Sequence, residues 1–203
     1  MKRFLTVSLA VLFTAALLPQ SGTAAVGFKG GLGLSTLAMT PASSISQVNL
    51  KAPVGGVFFG IGLGLFSIQP EILYIRMGTR LQEAGSSDWM EIRLDYVQVP
   101  VLLKINVLPG PISPMIYGGP YGAYRFAARG AVSGVAGAVD IGDAYKTTDY
   151  GVVFGGGIDF KLVVIKLSAE VRYNLGLADI LNEPDPGASS KNKSLMGLVG
   201  ISF

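Results

Sequence analysis

The 203-residue sequence contains no cysteine and no histidine. Without cysteine no disulfide framework can stabilise an exported chain, so order has to come from a sheet or a membrane. Without histidine, Ser-His-Asp and Cys-His nucleophilic systems, imidazole metal sites and histidine general bases all fall away. Charge is scarce too: 14% of residues are charged, against roughly a quarter in ordinary soluble domains. Half of the residues are apolar, yet beyond the N-terminal segment no continuous run reaches the roughly 18 apolar residues of a membrane helix. That excludes a helical membrane protein. The formal charge of +3 is small and gives no reason to expect nucleic acid.

What is present is glycine and alternation. The 28 glycines are interleaved with Val, Ile, Leu, Phe and Tyr, which fits neither collagen nor a linker and leaves a β protein that tolerates high hydrophobicity. At the N-terminus, Lys2 and Arg3 precede an apolar stretch from Phe4 to Leu18, and small residues Gly22 to Ala25 follow. This is the order of a secretory signal peptide. Cleavage is expected after Ala25, leaving 26–203 as a single domain.

Val163 to Leu177 is the clearest strand. Ile165, Leu167, Ala169, Val171, Tyr173, Leu175 and Leu177 share one face, and Lys166, Ser168, Glu170, Arg172, Asn174 and Gly176 the other, because side chains alternate along an extended chain. Tyr150 to Phe160, Val26 to Leu37 and Pro53 to Leu65 repeat the pattern, setting an apolar face against Gly, Ser and isolated charges. Ile68 to Gly78 reads as a strand with Glu71 opposite Ile72 and Tyr74, although Leu73, Ile75 and Met77 make both faces apolar. In Glu91 to Ile105, Ile92, Leu94 and Tyr96 are in phase while Val97, Val99, Val101 and Leu103 are out of phase; one extra residue near Tyr96, a β-bulge, would reconcile the halves. Pro114 to Phe126 is strand-like, but Gly118-Gly119-Pro120 leaves its facing undecided. Leu195 to Phe203 closes the count at about eight, with Leu195, Gly197, Val199, Ile201 and Phe203 on one face.

The connections alternate. Long joins at Ala38 to Ala52, Arg80 to Met90, Arg129 to Thr147 and Ala178 to Lys193 alternate with shorter ones near Phe66-Ser67, Asn106 to Ser113 and Lys161-Leu162. Short turns at one rim and long loops at the other, with an even strand count, describe an up-and-down antiparallel barrel in a bacterial outer membrane. A soluble barrel would carry Lys and Glu on its polar face, whereas here that face is mostly Gly and Ser. The expected fold is therefore an all-β transmembrane barrel of eight strands with a narrow, filled lumen.

Several segments, in order, carry a family likeness: Gly27 to Leu37, Pro70 to Gly78, Leu94 to Lys104 and Gly118 to Tyr121. The most specific is Tyr96-Val97-Gln98-Val99-Pro100-Val101-Leu102-Leu103-Lys104. Over essentially the whole 26–203 region the chain resembles the PorT-type outer-membrane β-barrel family, found mainly in Bacteroidetes. The resemblance implies the fold and the outer membrane as location, and its founding member is associated with a protein-secretion apparatus. It supplies no ligand or catalytic residue.

The charged minority has a structural reading. Lys29, Glu71, Asp159, Lys166, Glu170 and Arg172 are expected to face the lumen, where isolated charges are costly unless paired. Their mixed signs allow a neutralising network, with glycines leaving space for the long stems. Tyr74, Tyr96, Tyr150 and Tyr173 are expected to be lipid-facing or girdle aromatics. In the terminal strand, Leu195, Val199, Ile201 and Phe203 form the surface expected to meet the barrel-assembly machinery. Outer-membrane lipid is the other expected partner. Envelope or secretion proteins would dock on the outer loops, where Asp88, Trp89, Asp140, Asp143 and Tyr145 lie; Trp89 is equally an interfacial anchor. No cofactor, metal or catalytic residue is expected, and the function expected is structural or interactive. A narrow, porin-like channel for small solutes or ions is the first alternative, and a lipid-modifying enzyme the second.

Overall fold

Alternation of branched or aromatic residues with glycine and small polar residues lets a strand offer one oily and one compact face, and eight such strands close on themselves. The computed structural model describes residues 24–40, 46–82, 88–108, 110–135, 137–183 and 186–203. The expected signal segment lies outside the described residues except for Ala24 and Ala25, which pair with Ile61 and Gly60. The strands are β1 (Ala24–Thr40), β2 (Ser46–Leu63), β3 (Phe66–Gln82), β4 (Trp89–Asn106), β5 (Ile112–Val132), β6 (Val139–Asp140), β7 (Thr148–Lys161), β8 (Lys166–Gly176) and β9 (Ser189–Ser202). All pairings are antiparallel, and the ring runs β1-β2-β3-β4-β5-β7-β8-β9. The two-residue β6 sits on β5 outside the ring.

Closure is made between β1 and β9, in register from Gly27 with Ser202 to Thr40 with Ser189. Val26 and Phe203 exchange both backbone hydrogen bonds beyond that ladder. The ring therefore has no free edge, which is the condition a sheet must meet to cross lipid.

Facing follows the sequence pattern in β1, β2, β7, β8 and β9. Phe28, Leu32, Val57, Phe154, Val171, Leu195 and Val199 stand on the outer wall, Leu32 with 70% of its surface exposed. Lys29, Ser35, Phe58, Asp159, Glu170, Arg172 and Ser194 are buried inside. β5 resolves as well: Tyr117, Tyr121 and Ala123 point inward, and Ile116, Tyr124 and Phe126 outward.

In β4 the structure differs from the sequence expectation. Even-numbered residues from Ile92 to Lys104 are buried without interruption, and Val97, Val99, Val101 and Leu103 are exposed. No residue is inserted in β4; its register with β3 is continuous from Leu73 with Gln98 to Gln82 with Trp89. The bulge lies across the seam, where Asp95 pairs with Ala127 but Tyr96 with Arg125, so that Phe126 is the extra residue in β5. The apolar residues change face in β4 because the barrel changes environment along its length, not because the backbone slips.

The expected joins also shorten. β1 and β2 run on until only 41–45 separate them, and 83–88 separate β3 from β4. The first tight turn is at Gly64-Leu65, with Gly64 at φ +71°, a backbone conformation that glycine adopts without strain. At 14 to 21 residues, β5 and β7 exceed the roughly 9–11 residues that a tilted strand needs to span a membrane. The excess rises at the end that carries the 133–147 and 177–188 connections.

Candidate functional site

The middle of the lumen is bridged by charge. Lys29 on β1 donates from Nζ to Glu71 Oε1 on β3 at 2.7 Å and to Glu170 Oε1 on β8 at 3.0 Å. Arg172, also on β8, donates from Nη1 to Glu71 Oε2 at 2.6 Å and from Nη2 to Glu71 Oε1 at 3.1 Å and Glu170 Oε2 at 3.3 Å. The two cations and two carboxylates cancel, and all four side chains are essentially inaccessible, Arg172 at 0%. A fork of N–H donors against two carboxylates is the strong form of this interaction.

Of the six charged residues expected in the lumen, these four form one cluster. Asp159 and Lys166 form a separate pair at 3.6 Å, nearer the short-turn end, with Lys166 partly exposed. Sequence reasoning missed Lys104, Gln69 and Tyr117. Lys104 Nζ donates to Gln69 Oε1 at 3.2 Å, Gln69 Nε2 donates to Glu71 Oε1 at 2.6 Å, and Arg172 Nε reaches Tyr117 Oη at 3.3 Å. The signal was available for Lys104, whose alternation from Val97 onward puts it opposite the exposed valines.

Three of the lumen-facing glycines make room for rings. A Cβ on Gly27 would lie 2.5 Å from the Phe58 ring, one on Gly151 2.7 Å from the Tyr121 ring, and one on Gly155 2.7 Å from Tyr117 Oη. The expectation that these gaps serve Arg and Lys stems is thus corrected for these three: bare backbone on one strand receives an aromatic from its neighbour. Tyr117 in turn lies under the Arg172 guanidinium, 5.3 Å from ring centre.

Above the ionic cluster comes a layer of amides and phenols. Asn174 Nδ2 donates to Gln98 Oε1 at 3.0 Å, and Asn192 Nδ2 donates to Asp149 Oδ2 at 2.9 Å and Tyr96 Oη at 3.2 Å. Tyr96 is fully buried here. The expectation that it faces lipid is overturned, since even-numbered residues of β4 line the inside; Tyr150 is on the outer wall as expected.

The long-loop end is closed by an apolar plug. Leu37, Met77, Ile92, Leu94 and Ala128 from the wall pack with Tyr145 and Ile180 from the two long connections. Those connections are tied together by a bridge between Tyr145 and Leu181 and by Lys146 N donating to Ile180 O at 2.8 Å. Arg125 ties the 133–147 connection to the wall, donating to the carbonyls of Gly142, Tyr145 and Lys146 at 2.7 to 3.0 Å. Tyr145, expected on the outside, is turned inward, and burial raises the pKa of its hydroxyl. Asp88 accepts from Ser133 Oγ, and Trp89 lies against Arg80 at 4.7 Å. Asp140 accepts from the Gly142 amide.

On the outside of the same end, along β3 to β5, charge replaces the oily band. Arg76 Nε donates to Asp95 Oδ1 at 2.6 Å and Arg129 Nη1 to Asp95 Oδ2 at 3.2 Å. Arg80 Nη2 donates to Glu91 Oε2 at 2.6 Å, and Arg93 to the other Glu91 oxygen.

A family model described as "Outer membrane protein beta-barrel domain" matches residues 18–182. Among solved structures, the chain is similar to Neisserial surface protein A, at 13% identity over 91% of this chain and 100% of that one, with a TM-score of 0.49. It is also similar to Ail of Yersinia pestis, at 12% identity over 88% and 98% with a TM-score of 0.43. The N-terminal barrel domain of OprF of Pseudomonas aeruginosa is similar at 11% identity over 90% and 100%, with a TM-score of 0.44. No curated protein matches.

Proposed function

The chain belongs to the outer membrane protein beta-barrel domain family, and from that premise we propose that it is a non-conducting, non-enzymatic barrel with a structural or interaction role in the cell envelope. Its place is the bacterial outer membrane. The observation that carries the reading is the Lys29, Glu71, Glu170 and Arg172 cluster, which joins β1, β3 and β8 across the lumen at hydrogen-bonding distance. Side chains that neutralise one another across the lumen support a filled interior, as does the packing of Tyr145 and Ile180 against the wall at a second level.

We assign the chain to the PorT-type branch of this family on the Tyr96 to Lys104 segment, and a link to protein secretion comes with that assignment alone. Leu195, Val199, Ile201 and Phe203, exposed or half-exposed on the closing strand, are the proposed contact for the assembly machinery. In planar bilayers the purified barrel should show no steady conductance; reproducible single-channel steps would replace this reading with the channel. Radiolabelled phospholipid incubated with the folded barrel should remain unchanged, and product formation would establish an enzyme. Crosslinking in cells through the 133–147 connection identifies the envelope partner, and capture of secretion components would support the PorT link.

A further inference from the structure

The outer wall of β2 to β5 at the long-loop end carries five cations, Lys51, Arg76, Arg80, Arg93 and Arg129, around two carboxylates, Glu91 and Asp95. We propose that this surface binds the phosphate groups of the phosphorylated glycolipid that forms the outer leaflet.

The layers of the cluster point to an external anion. Its carboxylates lie beneath, with side chains 2% and 4% exposed, while the arginines range from 29% for Arg76 to 53% for Arg129. Each guanidinium has five N–H donors, and Arg129 spends one on Asp95, so oriented donors remain on the outside. The acids thus fix the arginines without neutralising them: five cations against two carboxylates leave a net charge of +3. The surface is also concave, a recess of about 450 Å³ lined by Lys51, Arg76, Arg80, Glu91 and Arg93 with apolar Val48 and Leu50. Planar forks of this kind match phosphate oxygens two at a time.

Position selects the lipid. On β4 the exposed run Val97, Val99, Val101 and Leu103 begins two residues from Asp95, and on β3 Ile72 and Tyr74 directly precede Arg76 on the same face. Tyr74 and Phe126 meet there, ring centres 6.1 Å apart, as aromatics do at the edge of the hydrocarbon region. An acyl chain lying on the valines of β4 would bring its headgroup phosphate to Arg93 and Arg76. The outward Lys191 and Lys193 on β9 have no such arginine and carboxylate framework in the described residues, and they provide the control.

Native mass spectrometry of the detergent-solubilised full chain, with bis-phosphorylated lipid A, its dephosphorylated form and inorganic phosphate as probes, tests the assignment. The barrel should prefer the phosphorylated glycolipid by about tenfold or more, since each basic residue near an anionic surface contributes appreciably. The triple variant Lys51→Gln, Arg93→Gln, Arg129→Gln keeps the Arg76–Asp95 and Arg80–Glu91 pairs and should lose that preference, while Lys191→Gln with Lys193→Gln should keep it. Circular dichroism reads folding in each case. Should the triple variant not fold, Lys51→Glu, which breaks none of the cluster's ion pairs, should weaken lipid A binding alone. An absent preference, a preference that survives these variants, or an equal loss in the β9 control would overturn the proposal. Inorganic phosphate competing at concentrations equal to lipid A would overturn the lipid as its source.

Discussion

Along β3 to β5 the two halves of the barrel wall have opposite polarity. Toward the short turns, Phe28, Val57, Val101, Ile116 and Val199 face out while Lys29, Glu71, Lys104 and Arg172 face in. Toward the long loops, Leu37, Met77, Leu94 and Ala128 face in while Arg76, Arg93 and Arg129 stand outside. One half is built for lipid outside, and its lumen is polar around the neutral cluster of Lys29, Glu71, Glu170 and Arg172, with Lys104 held by Gln69. At the long-loop end of β3 to β5 the core is oily and ion pairs stand on the surface, the arrangement of a small soluble barrel. A single strand such as β4 serves both because an inside-out exchange needs only a change in which alternate residues are apolar; its register with β3 is unbroken from Leu73 with Gln98 to Gln82 with Trp89.

The largest test of this contrast is Arg172→Ala, which leaves Glu71 and Glu170 buried with Lys29 as the one cation still bonded to them. Breaking a buried pair costs about 3–5 kcal/mol, so the urea midpoint of the barrel in lipid vesicles should fall clearly. The paired change Arg172→Met with Glu71→Leu leaves Lys29 and Glu170 as a neutral pair and should recover most of it. Unchanged unfolding of Arg172→Ala would mean that the cluster carries no structural weight.

Next in size, Val101→Arg places a cation on the outer wall of β4 within the apolar run. A cost of about 2–4 kcal/mol is expected for a position near the bilayer midplane, read by the same unfolding measurement. A negligible cost would put the short-turn half in water. Gly155→Val tests the packing of the lumen: its Cβ would meet Val171 O at 2.5 Å and Tyr117 Oη at 2.7 Å, and overpacking of this sort costs about 1–3 kcal/mol. The smallest effect is expected from Arg129→Ala, since Asp95 keeps Arg76 and exposed pairs contribute at most about 1 kcal/mol. A larger loss there would show that the loop-end surface pairs are structural and not available to a ligand.

Much of the short-turn half was legible in the sequence, because strict alternation survives in β1, β7, β8 and β9, where one face is lipid-like and the other small or charged. The inversion is also written there, in a form that alternation alone does not identify. Leu73, Ile75 and Met77 made both faces of β3 apolar, and the apolar set of β4 moved from even to odd positions at Tyr96; a local backbone defect explains such a shift as well as a change of solvent does, and one sequence offers no way to choose. Facing in β5 was hidden by Gly118-Gly119-Pro120, which carries no hydrophobic contrast. The partners of Arg172 were legible as residue types but not as contacts, since cross-lumen distances depend on strand tilt and register, and Tyr117 was hidden in the same unreadable strand.

The absence of cysteine makes the polarity inversion directly measurable. Single cysteines introduced from position 91 to 105 of β4, each carrying a nitroxide, can be scanned in vesicles for collision with oxygen, which concentrates in lipid, and with a water-soluble nickel chelate. The expected result is unbroken period-two alternation through Tyr96, with odd positions from Val97 to Leu103 reporting lipid and Arg93 reporting water. A phase reversal at Tyr96, or nickel access at Val99 and Val101, would contradict it.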